Sequence, residues 1–154
     1  MTKGALLVLA LILANVTAFA GPKKLVVVVA KGSTLTNISK RDLKACFLGE
    51  HVSGGGKTLI PFNSEPRSPE RIGFDKGVLG MTPDVVGRFW IDRKVRAQRG
   101  APRTLPSHLH IAKVVAKFPG AISYLPADQL TPDVQPLKVD GVAYTDPAYT
   151  VQTE

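Results

Sequence analysis

The chain has one cysteine, Cys46, among 154 residues, so it contains no disulfide framework. Cys46 stands between Ala45 and Phe47 on what reads as an apolar helical face, which predicts a packing role. Histidine is also scarce, with three in the chain. His108 and His110 lie two apart on a predicted helix and so point away from one another, which excludes them as a paired metal site. Structural zinc and thiol catalysis both lack the ligands and partners they need. Aromatic residues make up 6% of the chain and tryptophan occurs once, so no aromatic platform interleaves with the basic residues beyond the helical Phe89-Trp90 pair. Beyond residue 20 no apolar run is long enough to cross a bilayer. There are no internal repeats and no low-complexity blocks.

What is present begins with a leader. Lys3 supplies a positive start, Ala5 to Ala14 an apolar core, and Ala18-Phe19-Ala20 a small-x-small cleavage site before Gly21. The pattern predicts a secretory signal over residues 1–20 and a periplasmic or secreted product with no membrane span after cleavage. No cysteine follows the apolar core, which argues against lipid attachment. The remaining residues, 21–154, make one ordinary domain with enough chain for a core.

Lysine and arginine number 20 against 12 acidic residues, a formal charge of +8, of which Lys3 in the leader supplies one. The basic residues crowd at Arg88, Arg93, Lys94, Arg96, Arg99 and Arg103. Export and the missing aromatic platform speak against nucleic acid, and a solvated basic helix end accounts for the run.

Alternating elements set the fold class. Leu25 to Ala30 is a continuous β-branched run, as expected of a strand buried on both faces. Ser39-Lys40-Arg41-Asp42 starts a helix whose inner face is Leu43, Cys46 and Phe47, and Gly49 ends it. A loop from Glu50 to Lys57, with Gly54-Gly55-Gly56, leads to a strand at Leu59 to Phe62. A helix runs from Ser68 to about Gly80. Another starts at Thr82-Pro83-Asp84 and is expected to bury Val85, Phe89 and Trp90. After a loop from Gly100 to Pro106, a helix opens at Ser107 with Ile111, Val114, Val115 and Phe118 as its stripe. Pro119-Gly120 breaks it, and Ala121 to Leu125 reads as a strand. One more strand is expected near Leu137 to Val142, after which the tail frays. This order predicts an α/β domain with helices on a mainly parallel sheet.

The chemistry concentrates where the Leu59 strand turns into the Ser68 helix. Asn63-Ser64-Glu65-Pro66-Arg67 forms a polar turn, Ser68 is placed to cap the helix, and Pro69 has its φ preset for the first turn. Free backbone N–H groups and a positive dipole end gather there, which suits a small anion. Ser64, Arg67, Ser68 and Arg71 are the candidate ligands, with Glu70 opposing them. Elsewhere, Gly56-Lys57-Thr58 resembles the end of a phosphate-cradling loop. It has His51 where glycine is required and a strand where a helix is required. Glu65, Glu70 and Asp75 have no nucleophile or base set with them, so no enzyme, metal or cofactor is expected. Asn37-Ile38-Ser39 matches a glycosylation acceptor in form only.

Taken in order, several pieces are distinctive together. They are the Val26–Val29 strand, Ile38-Ser39-Lys40-Arg41-Asp42-Leu43, Cys46-Phe47-Leu48-Gly49, Ile60-Pro61-Phe62, Ser68-Pro69-Glu70-Arg71-Ile72-Gly73-Phe74, the Phe89-Trp90 helix and Pro119-Gly120-Ala121-Ile122-Ser123-Tyr124. Over roughly residues 24–126 the chain resembles the substrate-binding proteins of phosphate ABC transporters, specifically their compact single-domain relatives. Residues 127–154 form a C-terminal extension. The resemblance implies a single periplasmic-binding-protein-like lobe, a phosphate-like small anion as ligand, and a transporter or sensor as partner. In that family the junction carries an arginine, then Ser-Gly-Thr-Arg-x-x-Phe. Ser68, Arg71 and Phe74 match the serine, arginine and phenylalanine, whereas Pro69 replaces glycine, Glu70 replaces threonine and Ser64 falls on the upstream arginine. Proline has no N–H, and glutamate sets a negative charge against the anion. The resemblance therefore implies a non-catalytic solute-binding domain with a weak or degenerate site. A ligand-free interaction module on the same fold is the alternative.

Overall fold

The computed structural model describes residues 20–154. The predicted signal sequence, apart from Ala20, lies outside the described residues. Among the described residues no helix is long and apolar enough to cross a membrane.

The elements follow in chain order as β1 (Leu25–Ala30), β2 (Asn37–Ile38), α1 (Lys40–Phe47), β3 (Ser53–Gly54), β4 (Lys57–Thr58), β5 (Ile60–Asn63), α2 (Pro69–Phe74), α3 (Pro83–Val95), β6 (Arg103–Thr104), α4 (His108–Lys117), β7 (Ala121–Pro126), β8 (Val134–Pro136) and β9 (Lys138–Val139). A π-helical turn, Asp75–Leu79, continues α2 and ends on Gly80 at φ 69°. That left-handed cap costs glycine no Cβ clash.

Five strands form the central sheet in the order β6-β5-β7-β1-β8. β5 pairs in parallel with β6 and β7, while β1 runs antiparallel to β7 and β8. Four of the five strands therefore point one way, and β1 alone opposes them. Pro61 is tolerated inside this sheet for a geometric reason. Ile60 N–H donates across to Gly120 O (2.8 Å), so alternation turns position 61 toward the β6 side. There the ladder begins only at Phe62 opposite Arg103, and no donor is missed.

The sheet is covered on both faces. Leu25, Val27, Val29, Ile122 and Tyr124 face a cluster completed by Leu43, Cys46 and Phe47 of α1, Phe74, Val78, Leu79 and Val86. Val26, Val28, Ala121, Leu125 and Val134 face Ile111, Ala112 and Val115 of α4. Alternate residues of β1 thus enter two separate cores, which is why its sequence is an unbroken apolar run. The helix starts follow from local chemistry: Ser39, Ser68 and Ser107 each accept a backbone N–H three residues on.

Several details depart from the sequence reading. The glycine loop at 50–57 contains a short hairpin, β3–β4. The proline-bearing loop at 100–106 contributes β6. In α3 the buried residue is Val86, while Val85 is 44% exposed. Phe89 and Trp90 are half-buried and pack edge to face at 5.0 Å. In α4 Phe118, at the C-cap, is exposed and Val114 only partly covered.

The tail does not fray. Tyr149, Val151 and Thr153 are buried, Leu25 N–H donates to Val151 O (2.9 Å), and Thr153 N–H donates to Lys23 O (2.8 Å). The segment crosses α2 where position 73 is glycine. A Cβ there would lie 2.3 Å from Gln152 O and 2.6 Å from Thr153 Cα.

Candidate functional site

β5 delivers the candidate junction and β7 supports it from the neighbouring strand. Asn63, at the end of β5, accepts the hydroxyl of Tyr124 on Oδ1 (2.6 Å), and Ser64 N–H reaches the same hydroxyl at 3.5 Å. Tyr124 is fully buried, stacked on Phe74 with ring centroids 4.0 Å apart and planes 7° from parallel. Burial pushes its phenol well above the usual tyrosine value, so it stays protonated and donates.

The turn that follows is not a solvated loop. Asn63 and Ser64 are both buried, at 2% and 4% exposure. Ser68 spends its hydroxyl on the fold: Oγ donates to Glu65 O (2.9 Å) and accepts Arg71 N–H (3.1 Å). Arg67 is exposed.

Arg71 turns inward. Its Nε donates to Asp75 Oδ2 at 2.7 Å and its Nη1 to Ser64 O at 3.3 Å, with Arg71 7% and Asp75 2% exposed. Burial raises the Asp75 carboxyl above its ordinary value, opposed by the attraction of Arg71. Two buried oxygens here, Ser64 Oγ and Asp75 Oδ1, have no hydrogen-bond partner among the described residues.

The four candidate residues do not converge on one point. Ser64 and Ser68 line a small hollow of about 70 Å³ together with Glu70, Ser107 and His108. Glu70 is occupied there, its Oε1 3.4 Å from His108 Nε2. Arg71 and Asp75 line a neighbouring cleft of about 240 Å³ with Trp90 and Thr104. Ser64 joins the two, since it lines the first and its carbonyl holds the arginine of the second.

The electrostatics are balanced rather than strongly positive. Asp75 answers Arg71, and Glu70 answers the start of α2. Arg71 still retains guanidinium protons beyond the two it uses. Sequence reasoning missed Asn63, Tyr124, Asp75 and His108. Only the Arg71–Asp75 pair left a legible signal, an i,i+4 spacing of opposite charges within one helix.

No family model matches the sequence, and no curated protein is similar to it by sequence. Solved structures match by shape. A protein described as a phosphate ABC transporter substrate-binding protein from Clostridium perfringens, with phosphate bound, superposes at a TM-score of 0.68 and 16% identity, over 86% of this chain and 53% of its own. The fold is that of a single periplasmic-binding-protein-like lobe. An ABC-type phosphate transport receptor from Vibrio cholerae matches at 0.66 and 14% identity, over 86% and 54%. PstS from Borrelia burgdorferi matches at 0.63 and 15%, over 86% and 55%. The chain spans about half the length of the receptors it matches.

Proposed function

We propose that this chain is an exported, non-catalytic solute-binding-type domain that takes a small oxyanion, phosphate-like in shape, at the Ser64–Arg71 junction. The observation that carries the reading is the pairing of Arg71 with Ser64. A buried guanidinium holds the serine carbonyl, while the serine's own hydroxyl is buried without a partner among the described residues. A buried donor of that kind favours a ligand oxygen. The likeness to phosphate receptors and the leader pattern support the same reading.

Binding is weak in this proposal, for three physical reasons. Pro69 removes an N–H from the helix start, Glu70 opposes an anion there, and Asp75 has already claimed the Nε of Arg71. A dipole end adds only about 0.3–1 kcal/mol at an exposed site. A small-molecule site also normally encloses most of its ligand, and this chain matches only about half of each receptor. A transporter permease or sensor is the partner such a domain serves.

The test is calorimetric titration with phosphate at low ionic strength. The parent is expected to bind weakly, Glu70→Thr more tightly, and Ser64→Ala and Arg71→Ala less tightly or not at all. Equal binding by all four proteins, or none at millimolar phosphate, rejects the site. The second reading, an interaction module that retains the fold without the ligand, then stands. The neutralised Arg71 and the crowded Glu70 are the observations that favour it.

A further inference from the structure

The border of the sheet carries a second feature, which meets the cleft of Arg71 at Thr104. β6 is the outermost strand, and both Arg103 and Thr104 are exposed. Leu105 N–H donates inward to Asn63 O (2.8 Å). Strand alternation therefore turns the N–H and C=O of Thr104 outward, where no strand among the described residues pairs with them. An open edge of this kind is a template for another extended chain unless charge guards it.

Beside that edge lies a hollow of about 360 Å³, floored by Ile60, Pro61 and Phe62 and rimmed by Arg99 and Arg103. Ile60 is 49% exposed there, while Arg99 and Arg103 are exposed with no acidic partner among the described residues. Glu50 is the single carboxylate in the lining. The adjoining end of α3 adds exposed Lys94 and Arg96 and the exposed apolar side chains of Ile91 and Val95. Of these charges, among the described residues, Arg96 alone is answered, by Asp92 at 3.1 Å.

We propose that this edge receives an acidic, extended segment of a partner protein. The segment adds a strand along β6, seats an apolar side chain on Ile60 and Phe62, and sets carboxylates against Arg99 and Arg103. Charge selects this occupant over a second copy of the chain, because edge-to-edge pairing would bring Arg103 against its own equivalent. The apolar floor and the outward backbone groups of Thr104 select a peptide over a nucleic acid. A polyanion could use the arginines alone and would leave both of those features idle.

The probe is a short synthetic peptide of alternating glutamate and valine, titrated into the isotope-labelled protein at low salt and followed by amide chemical shifts. Saturable shifts confined to residues 99–104 and to Gly49 and Ile60 are expected. Arg99→Glu/Arg103→Glu, at two exposed positions that leave the core untouched, should weaken binding at least tenfold. Thr104→Pro, which removes the outward N–H at an edge position where proline is tolerated, should weaken it as well, and added salt should weaken the parent. The proposal is overturned if residues 99–104 do not shift, or if a lysine–valine peptide binds equally well. It is also overturned if the double charge reversal binds like the parent. A short oligonucleotide, phosphatidylglycerol vesicles or self-association displacing the peptide from this edge would overturn it too.

Discussion

Arg71 Nε donates to Asp75 Oδ2 at 2.7 Å, four residues apart on one continuous helical segment and almost wholly shielded from solvent. The pair has two consequences. It fixes the guanidinium beside Ser64, and it cancels most of the charge that an anion would otherwise meet. Removing one partner of a buried pair strands the other in a low-dielectric interior, at a cost of about 3–5 kcal/mol. Asp75→Ala is therefore expected to lower the denaturation midpoint sharply at neutral pH. Arg71→Met/Asp75→Leu, which removes both charges and keeps volume, is expected to lose much less.

The same carboxyl predicts a pH dependence. Burial raises the folded-state value of Asp75 above the ordinary 3.8, so the folded protein holds that proton more firmly than the unfolded chain does. The part of its contribution that comes from this firmer proton is complete below 3.8 and is lost as pH rises through the raised folded value, leaving the pairing with Arg71 at neutral pH. Asp75→Asn cannot titrate. The stability deficit of Asp75→Asn relative to the parent is expected to shrink as pH climbs from the acid side toward neutrality, as denaturant titrations across that range would show. A deficit that widens with pH would contradict the assignment.

Gly73 and the C-terminal segment make a third prediction. A methyl group at position 73 would collide with the backbone of Gln152 and Thr153, which cannot swing aside as a flexible side chain can. Gly73→Ala would gain about 0.5–1 kcal/mol in helix propensity in an open helix. Here overpacking of about 1–3 kcal/mol is expected to outweigh it. Hydrogen exchange should show the amides of Leu25 and Thr153 losing protection first, because both bonds tie the displaced segment to residues 23–25.

Arg93 ties α3 to the end of α1. It donates to Leu48 O (3.0 Å), and its guanidinium lies 5.3 Å and 5.8 Å from the ring centres of Phe89 and Trp90. A charged hydrogen bond contributes about 1.5–3 kcal/mol and a cation–π contact about 0.5–1 kcal/mol. Arg93→Ala should destabilise by about 1–3 kcal/mol and shift the Trp90 fluorescence maximum to the red. Arg93→Lys should recover only part of the loss, since lysine lacks the planar fork.

Cys46 is expected to be inert in the folded protein. It is 1% exposed, and burial pushes its thiol up to about 12. Thiolate, the reactive form, is therefore scarce at neutral pH. A thiol reagent should label it only in denaturant, and labelling under native conditions at the unfolded rate would contradict this burial.

Much of the fold was legible in one dimension because local chemistry dictates it. The unbroken apolar run of β1, the serine caps at Ser39, Ser68 and Ser107, and Gly80 closing its helix each express a short-range constraint satisfied within a few residues. The Asn63–Arg71 junction was legible as a place for the same reason. The inward turn of Arg71 was not, since it depends on where β7 sets Tyr124 and on how α2 lies across the sheet. Nor did the sequence reveal the hairpin at 53–58, the two-residue edge strand β6 or the anchored tail. The last two are held by partners distant in the chain, as Thr153 is by Lys23, while the hairpin pairs locally across a glycine turn without the alternating apolar pattern that marks a strand.

The sequence by itself determined the leader pattern, the α/β order, the basic balance and the absence of a disulfide, all of which are properties of neighbours along the chain. Only the tertiary structure decided that β1 runs against four parallel companions, that Ser64 is buried, and that Asp75 rather than solvent faces Arg71. The physical reason is desolvation. A charge in an unfolded or exposed segment is worth little and goes where its linker allows. A charge enclosed by the packing of distant elements must find a partner within hydrogen-bond reach, and the fold chooses which one.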